Sequence, residues 1–139
     1  MESLNRFITA QEIDYDRALS EIKSGRKLTH WIWYIFPQIA GLGQSPTAKM
    51  YEIKDREEAE AYLAHPILGA RLIEISRAML QIQNRTALQI LGTPDDMKLR
   101  SCMTLFNSLP EADGVFKEML KKYFNGMEDE QTLDLLKGN

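Results

Sequence analysis

The chain has little of what staples or anchors a small protein. Its one cysteine, Cys102, cannot form an intrachain disulfide and suits a reducing compartment. Two histidines, His30 and His65, with that lone thiol make no recognisable ligand set, so no metal is expected. There is no basic excess either. Against 20 acidic residues stand 17 basic ones, and the formal net charge of −3 argues against nucleic acid as a partner. The longest apolar run, Trp31 to Phe36, is far too short to span a bilayer. Nor does Met1-Glu2-Ser3-Leu4-Asn5-Arg6 lead into the apolar segment of a signal peptide. These absences predict a soluble, cytoplasmic protein with no membrane partner. With 139 residues, 44% of them hydrophobic, one domain over 1–139 can bury a core unaided by metal or disulfide.

What is present is helical periodicity. Tyr15, Ala18, Leu19 and Ile22 share a face, with Asp14 as a candidate N-cap and Gly25 as the stop. Asp55 followed by Glu58 has the capping-box arrangement and opens a helix carrying Ala59, Tyr62 and Leu63. Pro66 ends that helix and is placed to begin the next, whose stripe is Leu68, Leu72, Ile75, Met79 and Ile82. Thr93-Pro94-Asp95-Asp96 reads as a further start, with Leu99, Cys102, Met103, Phe106 and Leu109 as its buried stripe. Asp113 can cap a helix with Phe116, Met119, Leu120 and Tyr123 inward, ending at Asn125-Gly126, and a last short helix runs from Asp129 to Lys137. No hairpin signal sits between alternating runs. The expected class is all-α: a single compact domain of five or more helices, with no sheet beyond a short bridge.

The densest segment is His30 to Gln38, which holds both tryptophans, followed by the glycine loop Gly41-Leu42-Gly43-Gln44-Ser45. A lone strand there would leave its backbone groups unpaired, so a short buried helix broken by Pro37 is the better reading. On such a helix Trp31 and Trp33 point about 200° apart, so at most one lines any given pocket, and Trp33 is the candidate. The glycine loop lacks the Gly-Lys-Ser/Thr of a phosphate-binding P-loop and the third glycine of a dinucleotide fingerprint, so no cofactor is expected. Its backbone N–H groups could still face an anion.

Three segments together resemble a known family. They are Gly25-Arg26-Lys27 through His30-Trp31-Ile32-Trp33 and Phe36-Pro37-Gln38 to Ser45; Tyr62-Leu63-Ala64-His65-Pro66-Ile67-Leu68-Gly69-Ala70-Arg71-Leu72; and Lys98-Leu99-Arg100-Ser101-Cys102-Met103-Thr104-Leu105-Phe106. This combination resembles a small all-helical domain-of-unknown-function family, family 1810, over nearly the whole chain. The resemblance implies an all-helical fold and no established catalytic residues. Members are sometimes labelled calpastatin, after the protease inhibitor; such inhibitors are disordered and low in aromatics, whereas this composition can fold on its own.

Placement of polar residues at helix ends predicts a pocket for a small anionic or nucleotide-like ligand, framed by His30, Trp33, Gln38, Gly41, Gly43, Ser45, His65 and Arg71. Arg71 follows Pro66 by one turn, near a helix N-terminus that favours anions. The bland alternative for Arg71 is an internal ion pair with Glu58 or Glu74. The competing function is a peptide-interaction module with an apolar groove. Seven methionines would suit such a groove, although Met79, Met103 and Met119 fit core positions.

Overall fold

The computed structural model describes residues 1–138. A 3-10 turn at Glu2–Leu4 leads into nine α-helices among the described residues. They are α1 Asn5–Lys23, α2 Ile32–Ile35, α3 Pro46–Met50, α4 Arg56–Ala64, α5 Leu68–Leu80, α6 Ala87–Leu91, α7 Asp95–Asn107, α8 Gly114–Phe124 and α9 Glu130–Lys137. No strand is present among the described residues beyond one parallel bridge, Ile39 to Ile53. The all-helical expectation therefore holds. No described helix is long and apolar enough to cross a membrane.

The caps show why the helices begin where they do. Asp55, Asp113 and Asp129 each accept a hydrogen bond from a backbone N–H in the first turn of the following helix, which supplies the partner those end groups lack. Glu58 reaches back as a capping-box acid would, but its carboxylate accepts from Lys54 N, one residue before the cap. Asn125 (φ 54°) and Gly126 (φ 76°) end α8 in the left-handed region, which an L residue rarely adopts without such a cap.

Three boundaries depart from expectation. Helix α7 starts at Asp95 with Pro94 at the cap position and no side-chain cap, where Thr93 was the expected cap and Pro94 the first helical residue. Helix α1 starts at Asn5 rather than after Asp14, because the buried stripe extends back through Gln11 and Phe7. Mid-helix, the Asp14 carboxylate instead accepts from the Tyr34 hydroxyl and pairs with Arg17. Helix α5 starts at Leu68, two residues after Pro66, and the His65 ring supplies the end-group acceptor in between.

The core is strung on a chain of rings running from α1 to α8. Phe7 meets Tyr62 edge-on at 5.1 Å, Tyr62 meets Phe106 at 5.4 Å, and Phe106 meets Phe116 at 5.8 Å. Leu72, Ile75 and Met79 of α5 and Leu99, Cys102 and Met103 of α7 are buried in the same core, as their spacing predicts. Gly69 lets α5 pass against α4: a Cβ there would lie 1.9 Å from the Leu63 carbonyl oxygen.

Candidate functional site

The two tryptophans anchor neighbouring but unlike surroundings. Trp31 is fully buried, and its indole N–H donates to Glu21 Oε1 at 2.9 Å. The same carboxylate accepts from Leu28 N, Thr29 N and the Thr29 hydroxyl. Burial pushes the Glu21 carboxyl up, but these donors outweigh it and hold it down at about 2. The lysine lying over the Trp31 ring, Lys27 at 5.2 Å, is only 8% exposed and pairs with Asp95 at 3.0 Å. Every polar group around Trp31 is thus matched inside the protein.

Trp33, two residues on, is half-buried, and its indole nitrogen is buried with no acceptor in the protein. Lys98 lies over its ring at 5.2 Å and reaches the other oxygen of Asp95 at 3.8 Å. Asp95 so joins two lysines, one over each tryptophan. A small hollow beside Trp33 is also lined by Gln38, Gly43, Ala48 and Tyr51. Gln38 and Gly43 then continue into a larger cleft of about 290 Å³ with Lys98, Arg100, Ser101 and Asp129.

Local structure explains how the cleft is held open. The bridge between Ile39 and Ile53 is tied by Ala40 N to Ile53 O and Ile53 N to Gln38 O, both 2.8 Å, which fixes the segment carrying Gln38. Ser45 caps α3 by accepting from Ala48 N, and α3 then lies so close to the loop that a Cβ on Gly43 would meet Ala48 Cβ at 2.4 Å. On the far wall, Asp129 accepts from the hydroxyls of Ser101 and Thr132, and its backbone N–H donates to the Thr104 hydroxyl. Its free side faces Arg100, whose Nη2 lies 3.6 Å from Asp129 Oδ1 while Nε is buried without an acceptor.

The structure brings together three of the eight residues picked from sequence: Trp33, Gln38 and Gly43. The other five line neither the cleft nor the hollow beside it. His30 is exposed, and its carbonyl accepts from the Tyr34 hydroxyl. Gly41 (φ 106°) turns the loop near Leu135, and Ser45 serves as a helix cap. His65 Nδ1 accepts from Ile67 N and Leu68 N, the N–H groups expected to meet an anion there. Arg71 pairs with neither Glu58, which binds Arg6, nor Glu74, which accepts from the Tyr15 hydroxyl. Its guanidinium lies over the Tyr15 ring at 5.1 Å and reaches Gln11 Oε1 at 3.5 Å.

Lys98 and Arg100 escaped notice because they flank Leu99, whose place in an apolar stripe drew attention to the buried face of α7. The usable signal was two cations on one helix that begins with two acids, Asp95 and Asp96. Among the described residues no three His, Cys, Asp or Glu side chains gather as a metal-binding group. Cys102 is buried, and burial pushes its thiol well above the usual range, which leaves it unreactive.

The molecule so far is an all-helical domain with a small polar cleft between the Trp33–Gly43 segment, α7 and the start of α9. The family described as "Protein of unknown function (DUF1810)" matches residues 1–136, and the chain belongs to it. It is similar to the conserved hypothetical protein Rv1873 from Mycobacterium tuberculosis, whose crystal structure superposes with a TM-score of 0.94 at 46% identity, covering 96% of each chain. No curated protein matches it.

Proposed function

We propose that this domain binds a small anionic ligand, phosphate- or carboxylate-bearing, in the cleft between Gln38–Gly43 and Lys98–Arg100. The observation that carries this reading is a pair of buried N–H donors without acceptors: Arg100 Nε, on a residue lining this cleft, and Trp33 Nε1, on a residue lining the adjoining hollow that shares Gln38 and Gly43 with it. A buried donor left unpaired costs about 1–3 kcal/mol, and native proteins hold few of them. Lys98 and Arg100, each 24% exposed, add two cations whose only carboxylate partners among the described residues are Asp95 at 3.8 Å and Asp129 at 3.6 Å. Both separations exceed a normal charge-assisted hydrogen bond, so an anion with oxygens nearer than these would compete well.

The ligand-binding residues in this reading are Trp33, Gln38, Gly43, Lys98 and Arg100. The test is thermal unfolding with inorganic phosphate, pyrophosphate and AMP in separate arms, followed by Trp fluorescence. A ligand at a hundred times its dissociation constant adds about 2.7 kcal/mol of stability. The expected result is a rise in Tm with at least one of the three that disappears in Lys98→Met/Arg100→Met and persists in Arg71→Met. No rise with any of the three, or a rise that survives the double variant, overturns the reading.

A further inference from the structure

A second hollow, on a different face, has the opposite chemistry. It holds about 350 Å³ between the second half of α4 and the turn after α7. Its floor is apolar, made by Leu63, Ala64, Leu109 and Pro110, and each wall contributes one glutamate, Glu60 and Glu111. Both carboxylates are exposed, and among the described residues they make no ion pair or hydrogen bond. No Lys or Arg lines this hollow among the described residues; Arg77 pairs with Asp113, and Arg56 lines a neighbouring hollow with Asp55, Glu57 and Glu60.

The helices add to this negative potential. Helix α4 ends at Ala64, in the wall of the hollow, and α7 ends at Asn107, two residues before Leu109, so both C-termini lie close to it. Each pole carries roughly half a negative charge, which proteins commonly offset with Lys or Arg in the last turn. Neither helix has a basic residue there. Two exposed glutamates and two helix ends without a basic residue therefore flank an apolar floor.

We infer that this hollow receives a lysine or arginine side chain from a short apolar segment of a partner protein. The methylene stem lies on Leu63, Leu109 and Pro110, and the charged head sits between Glu60 and Glu111, as long cationic side chains do when they cover apolar surface. The site is separate from the anion cleft, shares none of its residues, and stands or falls on its own.

The experiment titrates the whole protein with the peptide acetyl-Gly-Leu-Lys-Leu-Gly-amide and follows backbone 15N–1H chemical shifts. Companion peptides carry arginine, norleucine or glutamate in place of the lysine. The lysine and arginine peptides should shift the amides of Leu63, Ala64, Leu109 and Glu111, and the norleucine and glutamate peptides should not. Because both glutamates are exposed, Glu60→Lys/Glu111→Lys should keep the fold, as circular dichroism checks. It should bind the lysine peptide roughly tenfold more weakly, as expected for two exposed ion pairs turned repulsive, and take up the glutamate peptide instead. Reversing Glu130 and Asp134 on α9 in the same way should leave the titration unchanged. No shift in these amides, shifts spread evenly over the acidic surface, or binding that ignores the α4 and α7 reversal overturns the inference.

Discussion

Trp31 and Trp33 lie two residues apart, each beneath a lysine that shares the same Asp95 carboxylate, yet their polar surroundings differ. Around Trp31 every donor has an acceptor: Glu21 takes the indole N–H, two backbone N–H groups and a hydroxyl. Around Trp33 the indole N–H and the nearby Arg100 Nε have none, and the cations are three times as exposed as Lys27, at 24% against 8%. A saturated site of this kind holds the chain together, whereas an unsaturated one beside a cleft is what a ligand can complete. The contrast teaches that ring size says nothing about role; the partner of the ring's one polar atom does.

The largest effect expected is on the saturated side. Trp31→Ala should destabilise by about 3–5 kcal/mol, the usual range for removing a fully buried large aromatic. The half-buried Trp33→Ala should lose about 1–2 kcal/mol in the same urea titration, since less area leaves the core. Equal losses would break the comparison.

Acid should separate the two regions next. The Glu21 carboxyl lies at about 2 in the folded protein against an ordinary 4.5, so its contribution is fully present above pH 4.5 and is lost as pH falls towards 2. That gap corresponds to about 3 kcal/mol, at about 1.4 kcal/mol for each tenfold. The difference in unfolding free energy between the parent and Glu21→Gln should therefore be large at pH 7 and shrink across this window. A difference that stays constant with pH would mean that the carboxylate charge is not what the four donors need.

The smallest stability change belongs to the open side. Lys98→Met and Arg100→Met should each alter stability by less than about 1 kcal/mol, as for other partly exposed ion pairs. They should nonetheless remove any phosphate-induced change in fluorescence. Trp33→Phe should also change stability little while abolishing that optical signal, because the remaining Trp31 is sealed off. A fluorescence response that persists in Trp33→Phe would assign the ligand to the Trp31 side.

Much of the fold was legible because helices advertise themselves locally. The stripes Leu68–Leu72–Ile75–Met79 and Leu99–Cys102–Met103–Phe106 are buried as their spacing predicts, and Asp55 and Asp113 cap as their positions predict. Short helices were less visible: α3 has five residues, too few for a period, and Ser45 was read as part of a binding loop rather than its cap. Of the candidate site, only one stretch of chain was legible. Trp33, Gln38 and Gly43 fall within one stretch of chain, but Lys98 and Arg100 come from α7 and Asp129 from the start of α9. Arg71 was misplaced because a helix start was taken as open to an anion when the His65 ring already closes it.

The sequence by itself determined the helical class, the main helix boundaries and the identity of the core, because these depend on spacing within a turn or two and on which side chains leave water. It also marked the two tryptophans as the place to look. Only the tertiary structure decided which of them is sealed and which borders the hollow beside the cleft, since that turns on a carboxylate ten residues upstream and a cation sixty-five downstream. Local rules contain no term for which helix end meets which loop; close packing of the whole chain sets that, and with it the charge each polar atom faces.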